Sequence, residues 1–170
     1  MQVQANFTVR TLRLRHLKLA RRERAGVVRE VVQYQFTSWP DHGVPRDILP
    51  VLSFIKKSSG AWPESEGPLL VHCSAGVGRT GTYIVIDAML KQLRAKGEIN
   101  VLSFLSHIRH QRGFLVQTED QYAFIHDCLA EAVDSGETNI RSSYLARSHN
   151  IALEHKVEHS NIAKDLDSGL

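Results

Sequence analysis

The chain has 170 residues, with 21 basic against 18 acidic residues, a formal net charge of +3, and 42% hydrophobic and 23% charged positions. That balance fits a soluble globular domain with one core and excludes a disordered or low-complexity chain. No apolar run is long enough to span a bilayer, the N-terminus lacks a signal-peptide pattern, and two cysteines far apart give no disulfide framework, so a reducing, cytoplasmic setting is expected.

The basic excess is local, because Arg10, Arg13, Arg15, Lys18, Arg21, Arg22, Arg24 and Arg29 crowd the N-terminal part. Within it Leu12 and Leu14, then Leu17 and Leu19, alternate with polar residues, as do Val32, Tyr34 and Phe36. Two strands joined near Ala20–Gly26 are expected, with the charges on the solvated outer face of a hairpin. Nucleic-acid binding has no aromatic or motif support. Trp39-Pro40-Asp41-His42-Gly43-Val44-Pro45 follows as a loop, stiffened by prolines, pivoted at Gly43 and anchored by Trp39. Asp41 can serve there as a plain turn former. Its carboxyl can also swing over a bound phosphate ester and protonate the leaving oxygen. Ile48, Val51, Leu52 and Ile55 then mark an amphipathic helix that Asp47 can cap, and Ser58–Pro68 reads as a loop.

Leu69, Leu70 and Val71 read as the end of a buried strand. The ten residues that follow, His72-Cys-Ser-Ala-Gly-Val-Gly-Arg-Thr-Gly81, join it to a helix whose apolar residues Ile84, Val85, Ala88, Met89 and Leu93 recur at helical spacing from Thr80 to Leu93. Gly76 and Gly78 let successive N–H groups point into one concavity, and the helix start adds its positive dipole end. Cys73 at the rim of that bowl is expected to have a lowered thiol pKa. Arg79 closes it with a planar fork able to hold two phosphate oxygens. The arrangement suits a thiolate attacking a bound phosphate. The plain alternative is Cys73 as a small core residue. A nucleotide site fits less well, since the loop lacks the Gly-Lys-Ser/Thr ending and is too compact for a dinucleotide fingerprint. Acid and water-positioning groups elsewhere separate these readings.

Further on, Asn100 can cap a helix bearing Val101, Phe104, Leu105 and Ile108, and Arg109 and Arg112 lead to Gly113. In Gln117-Thr-Glu-Asp-Gln-Tyr122, Thr118 and Gln121 make a capping box and leave Gln117 just outside the helix, with an amide able to orient a water. That last helix runs to about Val133, carries Cys128 as a core residue and stops at Gly136. Beyond Glu137 no clear apolar face remains. His155-Lys-Val-Glu-His159 has an inverted zinc-peptidase form but no partner ligand region, and reads as solvated.

The three motifs, in this order and spacing, resemble those of the classical protein tyrosine phosphatases, and their wording is most similar to a receptor-type catalytic domain. The likeness spans roughly Asn6 to Asn139. It implies an α/β (α+β) fold in which a central mixed, twisted sheet is flanked by helices. It also implies a protein-tyrosine phosphatase that works through a cysteinyl-phosphate intermediate without metal or cofactor. By the resemblance, Cys73 is the nucleophile, and Arg79 binds the dianion with the N–H groups of Ser74, Ala75, Gly76, Val77 and Gly78. Asp41 is the acid and then the base. Gln117, helped by Gln121, places the water, Thr80 eases departure of the sulfur, and His72 holds the loop and tunes the thiol. The family's upstream Lys-Asn-Arg-Tyr phosphotyrosine-recognition loop is not found. The expectation is therefore a partial catalytic domain over 1–136 and a tail or linker over 137–170, with exposed apolar surface and modest stability. Expected partners are phosphotyrosine-containing proteins and, in a longer receptor-type parent, a second phosphatase domain; such a parent would hold this chain at the cytoplasmic face of the plasma membrane. No direct membrane insertion is expected of this chain. The competing reading is a non-catalytic phosphotyrosine-binding or regulatory fragment. A dual-specificity phosphatase fits less well, since Trp-Pro-Asp and Gln-Thr-x-x-Gln both point away from it.

Overall fold

A computed structural model describes residues 1–15, 28–60 and 67–136. The chain forms two compact units, Met1–Leu69 and Leu70–Leu170. The first is built on strands β1 (Gln2–Val3), β2 (Phe7–Arg15) and β3 (Val28–Phe36), in that order and antiparallel throughout. The β2–β3 register runs from Phe7 opposite Phe36 to Arg15 opposite Val28. Directly paired residues share a face, so Phe7 and Phe36 meet helix α1 (Leu49–Gly60) together. Phe54 of that helix lies edge-on to both rings, at 5.6 and 5.3 Å. Val51, Leu52 and Ile55 complete the buried face, as their spacing predicts. Pro50 sits in the first turn, where its missing N–H costs nothing. The helix continues through Ser58, where a loop is expected. The Ser58 hydroxyl donates 2.7 Å back to the Phe54 carbonyl and is buried there, which lets a serine remain helical.

The register places the two alternating apolar sets on opposite faces. Leu12 pairs with Val31 and Leu14 with Arg29, whereas Val32 and Tyr34 pair with Thr11 and Val9. Leu12, Leu14, Val31 and Val32 are exposed, Leu14 by 56% and Val31 by 40%, whereas Val9 and Tyr34 are half-buried. Arg13 and Glu30, opposite each other, form a 3.0 Å ion pair in solvent, which contributes little to stability. Leu17, Leu19 and the Ala20–Gly26 junction lie outside the described residues.

The second unit is helical among the described residues: α2 (Gly78–Lys96), α3 (Val101–Gln111) and α4 (Glu119–Asp134). Its core is Val85, Ile86, Met89, Leu90 and Leu93 of α2, Val101, Leu105 and Ile108 of α3, and Phe124, Ile125, Cys128 and Leu129 of α4. Ile84 and Ala88 fall at the margin of that face. Caps bound the helices at Asn100, Thr118 and Gly136, where the sequence predicts them, and also at Gly97. Asn100 accepts from the Ser103 N–H at 2.9 Å, and Thr118 accepts from the Gln121 N–H at 3.2 Å. Gly97 ends α2 at a φ of 75°, its N–H donating to Leu93, and Gly136 follows α4 at 72°.

Two expectations are corrected. Leu69–Val71 is not a strand, and Leu70 is 86% exposed. An apolar run becomes a strand only when a neighbour offers a ladder, and among the described residues none pairs with it. The α/β class holds, but the described sheet is wholly antiparallel instead of mixed, for the same reason. Residues 137–170, with the His155–His159 segment, lie outside the described residues.

Candidate active site

The loop His72–Val77 has no regular structure, and α2 begins at Gly78. Gly76 adopts a φ of 70°, and its N–H donates to the Cys73 sulfur at 3.2 Å. Cys73 is half-buried, so its sulfur stays within reach of a substrate. Partial burial by itself raises the thiol pKa. The Thr80 hydroxyl and the N–H groups of Thr80, Gly76 and Val77 outweigh that and hold it below the ordinary 9.0. Thr80 Oγ1 is buried and meets no partner of full hydrogen-bond geometry, so its hold on the sulfur is a looser polar contact than the Gly76 N–H bond. Cys128 is the contrast: burial in the core and then Asp127 push its thiol up, leaving it an inert packing residue. Val77, at the N-cap, gives α2 no side-chain cap, so the first turn keeps N–H groups for an anion. Arg79 stands half-buried in that turn. His72 is exposed, with Nδ1 3.3 Å from the Cys73 carbonyl oxygen.

Gln117 and Gln121 reach the same loop. A Cβ on Gly78 would lie 2.9 Å from Gln121 Nε2 and 3.3 Å from Gln117 Oε1, so both amides pack over that glycine. Gln121 is buried and accepts from the Gln117 N–H at 2.9 Å. A capping box would turn it to the Thr118 N–H; here it reaches one residue further and ties down Gln117. The turn before Gln117 fits against α2 because Gly81 has no side chain. The Gly81 and Val116 N–H groups both donate to the Val77 carbonyl, at 2.9 and 3.1 Å.

Asp41 belongs to the other unit and is exposed. Its loop closes on itself, with Trp39 Nε1 donating to the Gly43 carbonyl at 3.2 Å and the Trp39 ring edge-on to Phe36 at 6.4 Å. Gly43 takes a φ of 75°, a backbone conformation that favours glycine. Pro40, Val44 and Pro45 border a cavity of about 400 Å³, which leaves the loop unfilled space beside it.

The described second unit thus gathers Cys73, the 74–78 backbone, Thr80, Gln117 and Gln121. Sequence reasoning missed two further participants. Arg112 donates to the Gly76 and Ala75 carbonyls at 2.9 and 3.1 Å, and Arg109 to the Leu115 and Val116 carbonyls at 2.7 and 2.6 Å. The available signal was two arginines one turn apart just before the Gln117 turn.

A thiol whose pKa is lowered among loop amides at the start of a helix, with an arginine in the first turn, is an arrangement chemically suited to accepting a phosphoryl group. A model of the protein-tyrosine phosphatase family matches residues 1–131. The chain is 53% identical over 161 residues to tyrosine-protein phosphatase 99A of Drosophila melanogaster, covering 95% of this chain and 12% of that protein. It is 59% identical over 140 residues to the putative receptor-type tyrosine-protein phosphatase mosPTP-1 of Culex quinquefasciatus (82% of this chain, 10% of that protein). It is 52% identical over 147 residues to human receptor-type tyrosine-protein phosphatase zeta (85% of this chain, 6% of that protein). This chain belongs to the protein-tyrosine phosphatase family. It spans about a tenth, or less, of the length of these relatives. Among the described residues no helix is long and apolar enough to cross a membrane.

Proposed function

We propose that this chain hydrolyses phosphotyrosine in proteins, with residues 1–136 as part of a catalytic domain and 137–170 as a tail or linker. The Cys73 thiolate attacks phosphorus, the bond to the tyrosine oxygen breaks, and Asp41 protonates that oxygen. Arg79 and the N–H groups of residues 74–79 hold the equatorial oxygens as charge shifts. Gln117, oriented by Gln121, then places a water that Asp41 deprotonates. The water's attack releases phosphate, and the Thr80 hydroxyl eases the sulfur's departure. His72 helps hold the loop and tune the thiol. No metal or cofactor has a part in these steps. The substrates are phosphotyrosine-containing proteins, and the receptor-type names of the relatives favour a longer parent with this part at the cytoplasmic face of the plasma membrane.

The observation that carries this reading is the Gly76 N–H on the Cys73 sulfur together with the lowered thiol pKa. The test is hydrolysis of a phosphotyrosine peptide by the purified 170-residue chain, with Cys73→Ser as control. Turnover that the substitution abolishes, with peptide binding retained, supports the proposal. Binding by both chains without turnover by either overturns it and favours a phosphotyrosine-binding fragment.

A further inference from the structure

We propose that Arg109 and Arg112, at the C-terminal end of α3, form a two-pronged clamp whose prongs position two different parts of the site. Arg112 sets the amides that face Cys73, and Arg109 sets the turn that presents Gln117. The assignment of those parts to two chemical steps rests on the hydrolysis proposed above.

The argument starts from the planar trans peptide, in which carbonyl and N–H point in opposite directions. Arg112 holds two consecutive carbonyls, Ala75 through Nη2 and Gly76 through Nε. The N–H groups of those same two peptide units belong to Gly76 and Val77. They are therefore turned away from Arg112, and both are among the donors that lower the Cys73 thiol pKa. The Gly76 N–H reaches the sulfur at 3.2 Å. Arg109 repeats the device on the other loop. It holds the carbonyls of Leu115 and Val116, whose peptide units carry the N–H groups of Val116 and Gln117. Those two donate in the opposite direction, to the Val77 carbonyl at 3.1 Å and to Gln121 Oε1 at 2.9 Å.

An outside hold is needed in both places. Gly76 has a φ of 70°, and Phe114 and Val116 take φ values of 64° and 60°, which side chains of their size rarely adopt. A guanidinium suits the task because its donors are fixed in one plane and reach two adjacent carbonyls at once; an ammonium is a point charge without that fork. The two arginines leave the same helix end yet touch separate loops, so their loss is separable. Both are positioning residues, since neither touches the sulfur or the Gln117 amide.

The experiment compares the full 170-residue chain with Arg109→Met and Arg112→Met. Three readouts are taken: the pH dependence of Cys73 alkylation, the protection from alkylation that inorganic phosphate gives, and hydrogen exchange at the Val116 and Gln117 amides. Arg112→Met is expected to move the alkylation midpoint up towards 9.0. It should weaken phosphate protection by on the order of tenfold, as expected for losing charge-assisted hydrogen bonds. Arg109→Met is expected to leave both unchanged and to raise exchange at Val116 and Gln117 by a similar factor. With phosphopeptide it should show a burst of dephosphorylated peptide ahead of slow turnover. Should a Met variant fail to fold, the Lys variant carries the test, with the same crossed pattern at smaller size. Equal effects of both substitutions on every readout, or an unmoved thiol titration in the Arg112 variants, would overturn the clamp. Absence of wild-type turnover would count against the hydrolysis proposal alone, because titration, phosphate protection and exchange need no catalysis.

Discussion

Gly81→Ala is the sharpest test of how the site is assembled. The added Cβ would stand 2.4 Å from the Val116 nitrogen and 3.0 Å from the Leu115 carbonyl carbon. Non-bonded heavy atoms rest roughly 3.5 Å apart, so the overlap with Val116 is about 1 Å. It falls on backbone, and no rotamer change relieves it. Either α2 or the Leu115–Val116 turn must move, and the 3.1 Å bond from the Val116 N–H to Val77 is the first to break. Overpacking of this kind costs about 1–3 kcal/mol, and a stranded buried N–H about 1–3 kcal/mol more. Alanine's better helix propensity returns about 1 kcal/mol. The net expectation is destabilisation of about 1–5 kcal/mol, read as a lowered urea midpoint at unchanged slope. Because the displaced turn leads directly into Gln117, kcat should fall more than KM rises. Gly97→Ala is the control. It meets no neighbour but sits at a φ of 75°, so it should cost about 1 kcal/mol without touching kcat. A Gly81→Ala chain as stable as the parent would refute this account of the α2–Gln117 contact.

Asp41→Ala should slow a phosphotyrosine peptide far more than an aryl phosphate with an activated leaving group, because only the former needs a proton in flight; equal slowing would remove Asp41 from the acid role. Thr80→Val should raise the Cys73 thiol pKa towards 9.0 and slow alkylation at neutral pH. A depressed acid pKa adds stability that is complete above the unfolded value of 9.0 and is lost as pH falls through the folded value. The variant should therefore lose stability at alkaline pH and little at mildly acidic pH, and urea melts at the two pH values check the sign. Asn100→Ala removes the acceptor for the Ser103 N–H at an exposed helix start, and should cost about 1 kcal/mol while leaving the thiol titration unmoved.

What the sequence determined by itself is local chemistry. The cysteine-to-arginine loop, the Asn100 and Thr118 caps, the stop at Gly136 and the buried faces of α1 and α2 each follow from residue types within one or two turns. These interactions span a few residues, so spacing alone exposes them. Other features depend on partners far along the chain. Leu12 and Val32 belong to equally good alternating patterns, and only the pairing of Leu12 with Val31 puts them on opposite faces, since a shift of one residue would exchange them. Leu69–Val71 has strand composition without a ladder to join. Arg112 reaches carbonyls 36 and 37 residues away, and a backbone carbonyl carries no side-chain signature that a sequence could display. Tertiary structure alone decides such contacts, because every residue offers the same acceptor and only the folded path of the chain selects which ones an arginine meets.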